Sequence, residues 1–171
     1  MNIHQKRIQD LQSMLKKNGI NGIVLARPLE IGFLTGYFMD GVFLLITDGE
    51  AFGIMPKMLF DDFHAKAPFI NSEASDNPRK DIVAKKNQLR LEKAVFEPET
   101  ENYLRGKFWK ENGFEEYQGL TSELRLCKEG DEIEILRKSC KIAAKAFEQL
   151  LPTIKTGDAE IEEIGRASYR E

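Results

Sequence analysis

The stretch GVFLLITDGEAFGIM, residues 41–55, limits the fold more than any other part of the chain. Two apolar runs flank Asp48-Gly49, a dipeptide suited to a tight connection, and the pattern predicts a β-hairpin. A hairpin is antiparallel, whereas the segments around it alternate between helix-like and strand-like, the mark of parallel crossovers. Both requirements are met only by a mixed sheet with helices packed on it.

The segments on either side fill in that sheet. Residues 2–18 carry an apolar stripe at Ile3, Ile8, Leu11 and Leu15 and stop at Asn18-Gly19, so they read as an amphipathic helix. Ile20–Ala26 is a buried strand, and LEIGFLTG gives one or two helical turns broken by Gly36. Lys57–Lys66 is a short helix with Met58, Leu59, Phe60 and Phe63 towards one side, followed by PFIN as a strand. Asn77-Pro78 opens a helix that runs to about Leu89, and KAVFEP reads as a strand. A helix over Thr100–Asn112, with Thr100 at its N-cap and Tyr103, Leu104 and Phe108 as its apolar pattern, leads to FEEYQG as a last strand. The expectation is an α/β sandwich with a mixed sheet of about five or six strands.

From Leu120 the character changes. A short helix over 121–126 precedes a long stripe at Ile133, Leu136, Cys140, Ala143, Ala144, Phe147, Leu150 and Leu151, which predicts one helix of about five turns. Pro152 ends it, and Thr156-Gly157-Asp158 turns into a final helix carrying Ile161, Ile164 and Ala167. That helix meets no Gly or Asn cap before Glu171, so the polypeptide is expected to continue.

Bulk properties exclude several classes. With 25 basic and 28 acidic side chains the net charge is −3, which offers no footprint for nucleic acid or an anionic membrane. The start of the chain has a periodic stripe rather than a continuous apolar run, so no signal peptide or membrane span is expected there, and a cytoplasmic protein is. Cys127 and Cys140 match no CxxC or zinc-ligand spacing and read as reduced thiols.

Chemistry is scarce. His4 and His64 are the two histidines, and the positions four residues on hold Ile8 and Pro68, neither a ligand. Asp61 and Asp62 are adjacent, so on a helix they point about 100° apart and suit a solvated face better than a shared ion. Asp48 and Glu50 belong to the turn, while Glu132, Glu134, Glu160, Glu162 and Glu163 sit near helix starts, where the dipole favours acids. No phosphate loop and no GxSxG elbow is present, so catalytic and metal-binding residues are expected to be none.

Two stretches resemble a known family. FLTGYFMDGVFLLITDGEAF resembles the N-terminal domain segment of the creatinase, prolidase and aminopeptidase P family. LRLCKEGDEIEILRKSCKIAAKAFEQLLPTIKTGDAEIEEIG resembles the linker and opening helices that lead into its catalytic domain, through Leu124-Arg125, Lys128, Glu132-Ile133, Arg137, Ile142-Ala143 and Thr156-Gly157 to Glu160. The chain departs from the family pattern at Phe33 and Tyr37, and MPKMLFDDF lacks the Asp-x-Arg-Tyr signature of aminopeptidase P members. A prolidase-like Xaa-Pro dipeptidase is therefore favoured over aminopeptidase P, and creatinase stands third.

The resemblance implies a ribonuclease-H-like three-layer lobe over 1–124, then the linker and opening helices of a "pita-bread" catalytic domain over 125–171. Two divalent metal ions (Mn, Co or Zn) are implied for that second domain and none for the residues in hand. It further implies a homodimer acting on short proline-containing peptides, with this lobe restricting access to the active site. In that setting the loop at Gly36, Tyr37 and Asp40 is the part expected to approach substrate or partner. The competing expectation is that Phe33, Leu34, Tyr37 and Phe38 plug the lobe's own core. The alternative function is a stand-alone, catalytically inactive module for peptide binding or dimerisation.

Overall fold

The computed structural model describes residues 2–157, 159 and 161. The chain divides into two compact units, Met1–Leu126 and Cys127–Glu171. In the first, α1 (Ile3–Lys17) is followed by β1 (Gly22–Leu25), α2 (Pro28–Thr35), β2 (Phe43–Thr47), β3 (Ala51–Met55), α3 (Lys57–Lys66), β4 (Asn71–Ala74), α4 (Pro78–Gln88), β5 (Ala94–Phe96), α5 (Tyr103–Glu111), β6 (Glu115–Glu116) and α6 (Leu120–Leu126).

Six strands form one sheet in the order β4-β3-β2-β1-β5-β6. The hairpin pairs β2 with β3 antiparallel, Leu45 opposite Phe52, and β1 also runs antiparallel to β2, Val24 opposite Leu45. The β1–β5, β3–β4 and β5–β6 pairs are parallel. The sheet is thus mixed, as the hairpin among crossovers requires.

Side chains alternate across the strands and build two cores. Ile23, Leu25, Leu44 and Ile46 face Leu11 and Leu15 of α1, Ile31 and Leu34 of α2, Phe63 of α3 and Leu120 of α6. Val24, Leu45, Phe52, Ile54 and Phe96 face Ile82 of α4 and Trp109 of α5. Helices on both faces give three layers. Cations close the rim of the second core, with Arg79 over Phe108, Lys85 over Phe52 and Lys86 over Phe114.

Local chemistry sets the ends of the elements. Asn2 caps α1 through a capping box with Gln5, and Gly19 follows the helix at φ 62°. At the hairpin Thr47 Oγ1 accepts from Gly49 N and Glu50 N while Thr47 N donates to Glu50 O. Three details differ from the pattern reading. The strand after α3 starts at Asn71 rather than Pro68, because Ala67–Ile70 forms a turn that buries Ile70 and Pro68 has no N–H for a ladder. The cap of α5 is Asn102, whose side chain accepts from Arg105 N, while Thr100 lies in a 3₁₀ turn over Pro98–Thr100. Trp109, not Tyr103 or Leu104, is the fully buried anchor of α5, and Met58 projects into solvent from α3.

In the second unit, α7 (Gly130–Leu150) starts at a Glu129–Glu132 capping box, and a 3₁₀ turn over Leu151–Thr153 follows at Pro152. Its stripe is solvent-accessible, with Leu136 and Phe147 both about half exposed or more. Within the final helix expected from the sequence, Ile164 and Ala167 lie outside the described residues, as do Glu160, Glu162 and Glu163.

Candidate functional site

The loop between α2 and β2 is built by the end of α2. Pro28 stands in its first turn, and Gly36 caps it in the left-handed conformation at φ 77°, with its N–H on Gly32 O at 2.8 Å. Thr35 Oγ1 donates to Ile31 O and accepts from Tyr37 N, so the chain is steered inward directly after the cap. The carbonyl of Phe33 faces His4 Nδ1 and accepts from Arg7 Nη1, each at 3.0 Å, and the Arg7 guanidinium stacks 4.0 Å above the Phe33 ring. The α1 N-terminus and the α2 C-terminus are thereby tied together beneath the loop.

The expected site residues take three different places. Gly36 is the cap. Tyr37 turns into the core at 8% exposure and packs edge-on against Phe63, with centroids 5.6 Å apart. Burial, then the charge of Asp62, holds its hydroxyl above the usual phenol range. Asp40 lies at the surface, where its Oδ1 accepts from Gly41 N at 2.9 Å. Of the four residues expected to plug the core, Leu34 and Tyr37 do so and Phe33 is half-buried. Phe38 is 64% exposed and lies over Gly32, where a Cβ would fall 2.2 Å from its ring. With Leu29 and Met39 also exposed, the end of α2 and its loop present an apolar rim that sequence reasoning did not single out.

A second group lies at the carboxyl ends of β1 and β5. Glu30 in the first turn of α2 is buried, and its Oε1 accepts from Arg125 Nη1 at 2.6 Å, with Arg27 Nη1 at 3.8 Å. Glu97, directly after β5, is also buried and accepts from Thr121 through both N and Oγ1. Burial is the main reason its carboxyl sits above the usual range; the Thr121 bonds pull it back, and Glu99 and Glu30 push it up further. Glu101 is likewise raised by burial, against the pull of Arg105 and Trp109. Glu30 inside the apolar run LEIGFL and Glu97 after AVF are the sequence signals for this cluster, since charged residues in buried segments are rare unless paired.

Beside it, a cleft of about 440 Å³ runs along α5 over Phe96, Pro98 and Gly106. Its charges are already paired: Glu101 with Arg105, Lys110 with Glu116 and Lys107 with Glu111. The other candidates stay apart, with Asp48, Glu50, Asp61, Asp62 and His64 on the surface and His4 beneath the loop. Among the described residues no group of three or more His, Cys, Asp or Glu side chains could hold a metal ion, so they do not fit the ion pair that the resemblance implies for a catalytic domain.

Fold and site together define a three-layer α/β lobe with a mixed sheet, which presents a capped loop and a buried carboxylate network. Residues 7–127 match the creatinase/prolidase N-terminal domain, and the chain belongs to that family. It is 26% identical over 168 residues to an Xaa-Pro dipeptidase of Pyrococcus furiosus, an alignment that takes in 96% of this chain and 47% of the relative. Among solved structures, an Xaa-Pro dipeptidase from Bacillus anthracis superposes with a TM-score of 0.86 at 26% identity, covering 96% of this chain and 47% of the other. The N-terminal domain of a cytoplasmic peptidase from Mycobacterium tuberculosis shares the fold at 12% identity and a TM-score of 0.64, with 70% of this chain and 98% of that one covered. The chain spans about half the length of the curated relatives it matches.

Proposed function

We propose that this chain is the non-catalytic N-terminal lobe of a metal-dependent Xaa-Pro peptidase of the dipeptidase type. The observation that carries the reading is an alignment with an Xaa-Pro dipeptidase over 96% of this chain that leaves more than half of the relative unmatched. Residues 1–124 are the lobe and 125–171 the linker and opening helices of the next domain, which supplies the two divalent ions (Mn, Co or Zn) and the hydrolysis. The lobe contributes to a homodimer and restricts access to the active site, so that short proline-containing peptides are the substrates. The exposed rim of Leu29, Phe38 and Met39 beside Gly36 and Asp40 supports a loop that meets substrate or partner. The exposed apolar face of α7 supports a helix that further polypeptide covers. We place the protein in the cytoplasm, where its structural neighbour from Mycobacterium tuberculosis is also described.

The test compares the 171-residue chain with one continued by roughly 200 residues, the size of one further domain. Each is incubated with an Xaa-Pro dipeptide and Mn, Co or Zn. The longer chain is expected to release proline and the shorter one to be inactive. Hydrolysis by the shorter chain overturns the reading, and inactivity of both favours a binding or dimerisation module instead.

A further inference from the structure

α6 lies where the chain leaves the first unit, and little apolar surface holds it. Its seven residues are too few for a helix stable in isolation, and Leu120, with the partly buried Leu124, are its apolar contacts with the core. The remaining fixings are polar, and two of them end on buried carboxylates. Glu97 at the end of β5 takes both donors of Thr121, the backbone N–H at 2.7 Å and the hydroxyl. Glu30 at the start of α2 takes Arg125 at 2.6 Å, one turn further along α6 and 95 residues away in the chain. Gly119 N, just before α6, donates to Glu99 Oε1 at 3.0 Å.

We propose that Glu97–Thr121 and Glu30–Arg125 form a two-point latch that fixes α6 against the carboxyl ends of β1 and β5 and so sets the direction in which the chain leaves the first unit. Two points a helical turn apart are what orientation requires, because one bond leaves a helix free to pivot. Burying carboxylates is an expensive way to add stability, since apolar residues of similar size serve as well or better. A directional bond, which apolar packing lacks, is what these groups supply. The inference concerns the first unit and does not rest on the proposed function.

The test uses the full 171-residue chain with Cys140→Ser, so that a spin label attaches at the exposed Cys127 next to α6. Thr121→Val weakens one point by removing its hydroxyl bond while the backbone N–H bond stays, and Glu30→Gln with Arg125→Met removes the other without stranding a buried charge. In each, the label should gain mobility and amide exchange over 120–126 should rise about tenfold, the worth of one lost buried hydrogen bond. Exchange in β1 and β5 should stay within about twofold of the parent. Thr121→Ser should restore the parent values, and Arg125→Lys, which keeps charge but loses the planar fork, should fall between. Unchanged exchange over 120–126 in both variants overturns the latch. So does equal acceleration in β1 and β5, or loss of the fold in both, since these groups are then ordinary core supports.

Discussion

Gly36→Ala tests the geometry of the candidate loop at the residue that makes it. An alanine there must adopt φ near 77°, which costs an L-residue about 1–2 kcal/mol. Its Cβ would also sit 2.9 Å from His4 Nε2, so the imidazole must move, and the His4 Nδ1 contact with Phe33 O is strained or lost. A hydrogen bond of that kind contributes about 0.5–1.5 kcal/mol. The loss expected is about 2–3 kcal/mol, or about 8–12 °C in Tm for a domain of this size. Urea and thermal unfolding followed by the fluorescence of Trp109, the single tryptophan and a core residue, measure it. In a His4→Ala background the steric part is gone and about 1–2 kcal/mol should remain. An equal cost in both backgrounds would refute the contact with His4, and a cost below about 0.5 kcal/mol would refute the left-handed cap itself.

Gly106→Ala should act in the opposite direction. Its Cβ would meet the Phe96 ring at 3.5 Å, an ordinary contact, in a helix interior where Ala is favoured by about 0.5–1 kcal/mol, so Tm should rise by about 2–4 °C. The Glu97 carboxyl gives a pH prediction of uncommon sign. Its pKa is raised on folding, so the folded chain holds the proton that the unfolded chain has lost. The stability it contributes is complete below the unfolded value of about 4.5 and falls as pH rises through the folded value. Glu97→Gln, which keeps the acceptor for Thr121 N, should therefore gain in Tm relative to the parent as pH rises above 4.5; parallel Tm profiles would contradict this.

Much of the fold was legible because it rests on local rules. The hairpin at Asp48-Gly49 followed from the apolar runs on either side of a turn dipeptide, α1 from its stripe and its Asn-Gly stop, and α4 from Asn77-Pro78. The misreadings fell where local signals compete. Thr100 and Asn102 both suit an N-cap, and the 3₁₀ turn at Pro98 took the first. Tyr103 and Leu104 kept the helical spacing of α5, yet Trp109 is the residue that reaches the sheet, because only packing decides which side of a helix is inside. In the candidate loop, composition marked Gly36 correctly as the break, while the inward turn of Tyr37 and the outward turn of Phe38 depend on Thr35 and Phe63.

The sequence by itself determined the classes of its elements, a mixed sheet and the membership of a family, since periodicity, turn residues and motif order are properties of short segments. The tertiary structure decided which strands are neighbours, with β1 placed between β2 and a strand some seventy residues on, because hydrogen-bond pairing between distant segments leaves no mark in either one. It also decided that Glu30 and Glu97, two ordinary acids in the composition, are buried partners of Arg125 and Thr121. A carboxylate carries no sign of its burial until the partners that neutralise its cost are folded around it.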